Sequence, residues 1–387
     1  MINLLLAIIY LAFISLGLPD ALLGAAWPAM CLEFQVPVSY AGFVSVTISA
    51  GTIISSLLSD RLTNRFGTAR VTAFSVAMTA MALLGFSVCR SYGMLFLFAI
   101  PYGLGAGSVD AALNNYVALH YASRHMSWLH CMWGVGASLG PYIMGYALTG
   151  GQSWNMGYRY IAMLQIALTV ILFLSIPLWK KRTSAAQQPE SGAPKATTSL
   201  REVFRIPGAK EVLLGFFCYC ALESTAMLWS STYLVRHLGM SEERAAGLAS
   251  MFFLGITAGR AASGFLTYKL NDANMIRLGQ AVILAGVAAM LLPLGEMGAI
   301  VGLVLIGLGC APIYPCIIHS TPEHFGAENS QALIGVQMAS AYLGSLSMPP
   351  VFGLIANHIS ASLMPVYIGA ILLLMVFMCE RLNRKCR

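Results

Sequence analysis

Apolar runs of about 20 residues recur along the whole chain, separated by short polar or glycine-containing stretches. A helix rises about 1.5 Å per residue, so a run of this length crosses the roughly 30 Å hydrocarbon core of a bilayer. The pattern predicts an all-α protein with twelve membrane-spanning helices. Their approximate ranges are 4–31, 38–59, 71–89, 94–119, 127–150, 158–179, 211–235, 244–268, 276–294, 298–320, 330–356 and 364–380.

The basic residues predict how these helices are oriented. With the N-terminus in the cytoplasm, seventeen of the 22 Lys and Arg residues lie in cytoplasmic segments and one, Arg260, lies inside a span. Only four lie in external loops, namely Arg90, Arg159, Arg236 and Arg244. Cytoplasmic loops of membrane proteins carry this excess of basic residues. We therefore expect both termini to be cytoplasmic.

The apolar pattern is broken most clearly over residues 180–210. Lys180-Lys181-Arg182 is followed there by a stretch rich in Ser, Ala, Gln, Gly, Thr and Pro, which is typical of a linker. The sequence thus predicts an N-terminal six-helix bundle at 1–179, a cytoplasmic linker at 180–210 and a C-terminal six-helix bundle at 211–387.

The two predicted bundles repeat each other at a constant spacing of 204 residues. The matching positions are Gly51 and Gly255, Gly103-Leu104-Gly105 and Gly307-Leu308-Gly309, His120 and His324, and Leu139-Gly140 and Leu343-Gly344. Repeats related by an axis along the membrane normal place a substrate site between the halves, near the middle of the bilayer. At the same spacing, Pro19-Asp20 falls on Glu223-Ser224, so each half has an acid at nearly the same place.

The composition is that of a membrane protein, and together with the absence of several motifs it argues against other functional classes. The chain is 58% hydrophobic and 10% charged, whereas soluble domains are about 25% charged. The net charge of +7 reflects the loop asymmetry and anionic lipid headgroups rather than a nucleic-acid partner. The nine cysteines lack metal-ligand spacing, and there is no nucleotide-binding glycine loop and no His-Glu-x-x-His motif. We therefore expect no enzymatic activity, no metal site and no cofactor.

Four charged residues lie inside apolar runs, which indicates a path for a solute. Asp20, Asp110, Glu223 and Arg260 would each cost about 2.5–3.5 kcal/mol in hydrocarbon, so such groups usually face a bundle interior or a water-filled cavity. Asp20, Asp110 and Glu223 are candidates for carrying a coupled proton. Asp20 follows the helix-breaking Pro19, and the alternative for it is an acid capped by backbone or facing an external vestibule.

Polar neighbours on shared helix faces are candidates for binding the solute. Asp110 and Asn114 are four residues apart, and His130 and Trp133 are three apart. Carboxylate, amide and imidazole groups can hydrogen-bond sugar hydroxyls, but such pairs can equally hold helices together. The candidate substrate-binding residues are Asp20, Asn114, His130, Trp133, Glu223 and Gln337. His319 is similar to His130 but has less support. Arg260 either neutralises Glu223 or an anionic substrate, or pairs with helix-end carbonyls.

At this point the chain resembles the major facilitator superfamily. The loop after the second span, Asp60-Arg61-Leu62-Thr63-Asn64-Arg65-Phe66-Gly67-Thr68-Ala69-Arg70, is similar to the gating loop of that superfamily, although it has two extra residues and Ser56 in place of the usual glycine. The resemblance implies that Asp60, Arg61, Arg65 and Arg70 stabilise one gate state. Arg260 is a further gating candidate, because its pairing with helix-end carbonyls would close the cytoplasmic side. The alternative is that the arginines only anchor the cytoplasmic ends of the helices. Asp60 favours the gate, because an acid does not contribute to such anchoring.

Three further segments resemble the fucose-permease-like branch of this superfamily. They are Gly17 to Pro28, Gly107 to Asn115, and Leu129 to Pro141. The resemblance implies proton-coupled uptake of a monosaccharide or related polyol. We expect a monomeric secondary transporter of the bacterial cytoplasmic membrane that works by alternating access. The alternatives are proton-driven drug or metabolite efflux, which the 21 methionines leave open, a membrane sensor with a carrier fold, and a channel.

Overall fold

The computed structural model of this chain describes residues 4–37, 40–186, 200–240 and 242–386. Those residues form helices and short connections, with no β-strand among them. The helices, in chain order, are α1 Leu4–Gly17, α2 Leu22–Glu33, α3 Ala41–Phe66, α4 Thr68–Phe86, α5 Tyr92–His120, α6 Ser123–Thr149, α7 Trp154–Ala186, α8 Leu200–Val203, α9 Ala209–Leu238, α10 Glu242–Leu266, α11 Asp272–Leu291, α12 Gly295–His319, α13 Thr321–Phe325, α14 Ala327–Ile355 and α15 Met364–Lys385.

The prediction of twelve spans is confirmed when α1 and α2 are counted as one broken helix and the short α8 and α13 are set aside. Within the described chain, nine stretches are long and apolar enough to cross a membrane, and one of them covers both α14 and α15. The apolar part of α10, Met251–Leu266, is shorter. Helix α6 carries Ser127, His130 and several glycines, and it is not among these nine stretches.

The helices divide into two compact units. One contains described residues of 1–116 and 129–198, and the other contains those of 117–128 and 199–387. The end of α5, the connection after it and the start of α6 therefore pack with the second unit. Of the predicted linker at 180–210, residues 187–199 lie outside the described residues.

The internal repeat is visible as one glycine contact that occurs in each unit. A Cβ atom built on Gly103 of α5 would lie 2.2 Å from the carbonyl oxygen of Ile48 in α3. A Cβ atom built on Gly307 of α12 would lie 2.2 Å from the carbonyl oxygen of Phe252 in α10. Both pairs of positions are related by the 204-residue spacing. Glycine lets the two helix backbones touch at this crossing, as small residues do in membrane helix pairs.

Large apolar side chains fill the interior of each unit, and others point outward. Trp154 and Leu22 in the first unit and Phe216 and Tyr233 in the second are each at most 2% exposed. Gln165 of α7 links three helices of the first unit, because it accepts a hydrogen bond from Thr79 Oγ1 and donates one to the carbonyl oxygen of Ser15. The core of the first unit holds the interrupted helix α1–α2 in place against its neighbours.

Candidate functional site

The first membrane helix breaks at Pro19, and this break exposes Asp20. Helix α1 ends at Gly17 and α2 begins at Leu22. Two turn hydrogen bonds join the ends: the Asp20 amide donates to the Gly17 carbonyl at 3.1 Å, and the Leu22 amide donates to the Pro19 carbonyl at 3.1 Å. Proline lacks an amide hydrogen and cannot continue the helical ladder. The side chain of Asp20 is exposed although the adjacent Leu18 and Pro19 are buried.

Two aromatic donors hold the Asp20 carboxylate. Trp133 Nε1 of α6 donates to Asp20 Oδ2 at 2.7 Å, and the Tyr102 hydroxyl of α5 donates to Asp20 Oδ1 at 3.4 Å. Helix α6 approaches the break closely, since a Cβ atom on Gly17 would lie 2.1 Å from the Trp133 carbonyl oxygen. The structure therefore brings together Asp20 and Trp133, which were both predicted. Tyr102 was missed, because an aromatic residue in an apolar run gives no polar signal in the sequence.

A second polar cluster in the same unit is buried. Asn114 Nδ2 donates to Asp110 Oδ1 at 2.8 Å and to the Asp110 carbonyl oxygen at 3.0 Å, while Asn114 Oδ1 lies 3.1 Å from His130 Nε2. All three side chains are at most 5% exposed, and the Phe13 ring packs edge-on against His130. The predicted face shared by Asp110 and Asn114 thus also meets α6. In this state Asn114 is engaged by protein partners on both sides of its amide.

In the second unit, the acid and the base predicted inside spans form an ion pair. Arg260 Nη2 of α10 lies 3.3 Å from Glu223 Oε1 of α9. The Arg260 side chain is 5% exposed and that of Glu223 is 14% exposed, so water screens this pair only weakly. The interpretation of Arg260 as the partner that neutralises Glu223 agrees with this contact. Helix α9 is continuous through Glu223, so the helix break at Asp20 has no counterpart in the second unit.

Gln337 of α14 and His319 of α12 have separate surroundings in the second unit. Gln337 is fully buried and accepts a hydrogen bond from Thr321 Oγ1 at 3.1 Å. His319 Nδ1 lies 2.5 Å from Asp272 Oδ2, and its Nε2 lies 3.0 Å from the carbonyl oxygen of Tyr121. Both partners of the imidazole are acceptors, so this geometry suits a ring that carries two protons.

The cluster around Asp272 also contacts the segment that follows α5. The hydroxyl of Ser123 donates to Asp272 Oδ1. Two further contacts join the same segment to the helical hairpin of α10 and α11: the Arg124 guanidinium lies 5.1 Å from the centre of the Tyr268 ring, and Trp128 packs edge-on against Phe265. Asp272 was missed, because it lies at the start of a helix, where an acid stabilises the helix dipole and needs no other explanation.

Four of the five predicted gating residues lie near the junction of α3 and α4, and the fifth, Arg260, lies in α10. Asp60 is 7% exposed and accepts a hydrogen bond from Asn64 Nδ2 at 2.9 Å. Arg61, Arg65 and Arg70 are exposed, and no ion pair joins them to another residue in the described part of the chain. The Arg65 guanidinium lies over the Phe66 ring at 5.2 Å from its centre. In this conformation the arginines do not pair with Asp60.

Comparison with known proteins identifies the family. The sequence profile of the Major Facilitator Superfamily matches residues 9–349. An uncharacterized transporter of Sinorhizobium fredii is 26% identical over 85% of each chain. The mouse sodium-dependent glucose transporter 1A is 23% identical, covering 90% of this chain and 89% of its own.

Two solved structures show the same fold at low identity. FucP of Escherichia coli, a fucose:proton symporter crystallised in an outward conformation, has a TM-score of 0.77 and 15% identity over 97% of this chain and 99% of its own. The human organic anion transporter MFSD10 has a TM-score of 0.75 and 15% identity over 97% and 98%. The twelve helices, the repeated glycine crossing and the matching profile agree, and the chain belongs to the major facilitator superfamily of membrane transporters.

Proposed function

We propose that this transporter couples uptake of a monosaccharide, or a related neutral polar solute, to protons by alternating access. The observation that carries the proposal is Asp20, an exposed carboxylate at the break of the first membrane helix, held by Trp133 and Tyr102. An acid at membrane depth that water can reach in one state is suited to accepting a proton there. We place the protein in the bacterial cytoplasmic membrane as a monomer, with both termini cytoplasmic.

The two donors give Asp20 a way to link the proton to the solute. A hydrogen bond from an indole N–H is stronger to a carboxylate than to a neutral acid. Protonation of Asp20 therefore weakens its bond from Trp133 and frees this indole N–H for a hydroxyl of the solute. Transfer of the proton back to water restores the original bond and favours release.

The charges of the second unit favour a neutral solute. Glu223 and Arg260 offset each other at 3.3 Å, which leaves no excess positive charge at that pair to attract an anion. The fucose and glucose named for two similar proteins are neutral and rich in hydroxyls. We assign Asn114, His130, Glu223 and Gln337 supporting roles in binding the solute, and Asp110 and Glu223 secondary roles in proton transfer.

The first experiment identifies the solute. Detergent-purified protein is screened with monosaccharides and polyols for a rise in melting temperature, because a ligand at 100 times its Kd adds about 2.7 kcal/mol of stability. A hit is then tested in proteoliposomes in two ways: accumulation driven by an imposed pH gradient, and counterflow exchange without a gradient. Asp20→Asn should retain counterflow and lose accumulation.

Glu33→Gln is the matched control. Glu33 is likewise exposed and accepts a hydrogen bond from a tryptophan, Trp154 Nε1 at 2.6 Å, but it lies at the end of α2. The control should accumulate solute normally. Normal accumulation by Asp20→Asn would show that another group carries the proton, and accumulation that follows a sodium gradient instead would replace the proposed coupling ion.

A further inference from the structure

A large apolar groove lies on the first unit, beside the turn between α3 and α4. Its volume is about 680 Å³, and its lining comes from the end of α3, residues 70–81 of α4 and one residue of α5. The small side chains Ala77, Ser75 and Ser108 contribute to this lining, and the two serines are at most 5% exposed. No residue proposed to bind the solute or to carry its proton lines the groove. The lining does include Arg70, which is a predicted gating residue.

The groove opens onto an exposed apolar surface of α4 and α7. Phe74 and Met81 are two helical turns apart on one face of α4, and they are 64% and 61% exposed. Phe74 packs edge-on against Phe173 of α7, with ring centres 5.2 Å apart. Nearby on α7, Val170 is 53% exposed. Exposed apolar side chains on neighbouring membrane helices are covered by lipid chains, so the groove is a recess in a lipid-contacting surface.

A single charged residue, Arg70, lies in this mostly apolar lining. Arg70 belongs to the first turn of α4, three residues after Gly67, whose positive φ of 80° makes the turn from α3. Its side chain is exposed and forms no ion pair with any described residue. This end of the groove lies where two membrane helices meet, and therefore at the level of the lipid headgroups. An apolar recess with an unpaired guanidinium at its headgroup end matches the two parts of an anionic phospholipid.

We propose that this groove is a binding site for one anionic phospholipid, with an acyl chain along Phe74, Met78 and Met81 and the phosphate on Arg70. A guanidinium binds phosphate oxygens through two parallel hydrogen bonds, and an arginine near the membrane surface favours anionic over zwitterionic lipid. The groove also explains why Arg70 has no acidic partner among the described residues. The site is separate from the proposed solute path and does not depend on the solute being a sugar.

Native mass spectrometry of the detergent-purified full-length chain tests the proposal. Phosphatidylglycerol and phosphatidylethanolamine with identical acyl chains are added in turn, and the first bound lipid is quantified. Wild-type protein should bind phosphatidylglycerol more tightly. Arg70→Ala should weaken this binding about fivefold, the factor expected for one arginine near an anionic surface, and leave phosphatidylethanolamine unchanged.

Arg61→Ala is the matched charge control, because Arg61 is exposed at the same end of α3 but does not line the groove. Ala77→Trp should fill the groove and reduce binding of both lipids. Its folding is checked by gel filtration. Independently, phosphatidylglycerol with a photoactivatable diazirine on its acyl chain should label peptides containing Phe74 or Met78.

Three results would overturn the proposal. They are equal binding of the two lipids by wild-type protein, equal weakening by Arg61→Ala and Arg70→Ala, and photolabelling spread evenly over the lipid-facing helices. The first two would mean that lipid binding follows general surface charge, and the third would mean that no single chain occupies the groove. The photolabelling result decides the matter even if Ala77→Trp does not fold.

Discussion

At the scale of single residues, several polar groups inside the spans pair with other polar groups of the same unit. Asn114 joins Asp110 to His130, and Arg260 joins Glu223. A buried polar group without a partner costs about 1–3 kcal/mol, so each pair contributes to the stability of the helix packing. The same pair can also contribute to transport. A residue-scale experiment therefore has to separate these two contributions.

The ion pair between Arg260 and Glu223 gives a stability prediction of this kind. Arg260→Met removes the cation that pairs with the Glu223 carboxylate, at a site that little water reaches. Breaking a buried pair in this way costs about 3–5 kcal/mol. Glu223 retains slight exposure, so we expect a loss of about 3 kcal/mol in the free energy of unfolding. Adding Glu223→Leu should recover most of it, because no unpaired charge then remains. Chemical unfolding in detergent measures all three proteins.

The control is the ion pair of Arg277 and Glu380 in the same unit. It is bidentate, with contacts of 2.6 and 2.9 Å, but its side chains are 40% and 35% exposed. Arg277→Met should therefore cost about 0–1 kcal/mol, as for other solvated pairs. Equal losses for Arg260→Met and Arg277→Met would show that burial does not set the strength of the inner pair.

At the scale of helices, the apolar pattern and the spacing of the glycines predict the fold well. They predict the contacts between side chains much less well. Apolar runs identify the spans because every backbone polar group in lipid must be satisfied within its helix. Pro19 predicts the break at Asp20 by removing a backbone donor. The pairing of Asp20 with Tyr102 depends instead on how α5 is rotated against the break, and no local pattern contains that information.

The repeated glycine crossing predicts equal sensitivity in the two units. A methyl group at Gly103 or Gly307 meets a backbone carbonyl oxygen at 2.2 Å, so the helices must separate. We expect Gly103→Ala and Gly307→Ala each to lower the free energy of unfolding by about 1–3 kcal/mol, as overpacking does elsewhere. Gly134→Ala of α6 is the control, since a Cβ atom there meets nothing within 4 Å and alanine favours the helix by about 1 kcal/mol.

Thermal unfolding followed by circular dichroism compares these variants. A loss at Gly103 without a comparable loss at Gly307 would mean that the two crossings differ in how far their helices can move apart. Destabilisation by Gly134→Ala would contradict the spatial argument itself. The comparison thus tests whether the two glycine crossings related by the sequence repeat contribute equally to the free energy of unfolding.

At the scale of the whole molecule, the sequence predicts the number of spans and the side on which each loop lies, but not how the connecting segments pack. Residues 117–128 comprise the end of α5, the connection after it and the start of α6, and they belong by contacts to the second unit. Ser123 and Arg124 contact Asp272 and Tyr268, which are more than 140 positions away in the chain. Such contacts combine residues from distant loops, and hydropathy carries no information about them.

The orientation of the molecule in the membrane is the remaining prediction, and it rests on the loop charges. With seventeen basic residues on one side and four on the other, the linker at 180–210 should be cytoplasmic. A cysteine introduced as Ser191→Cys should react with a membrane-impermeant maleimide in inverted vesicles and not in intact cells. Ser153→Cys, an exposed position in the connection between α6 and α7, should show the reverse. The nine native cysteines are replaced by serine or alanine beforehand, and retained solute counterflow shows that this background folds. Labelling of Ser191→Cys from outside intact cells would reverse the orientation, and with it the direction in which an exposed Asp20 takes up its proton.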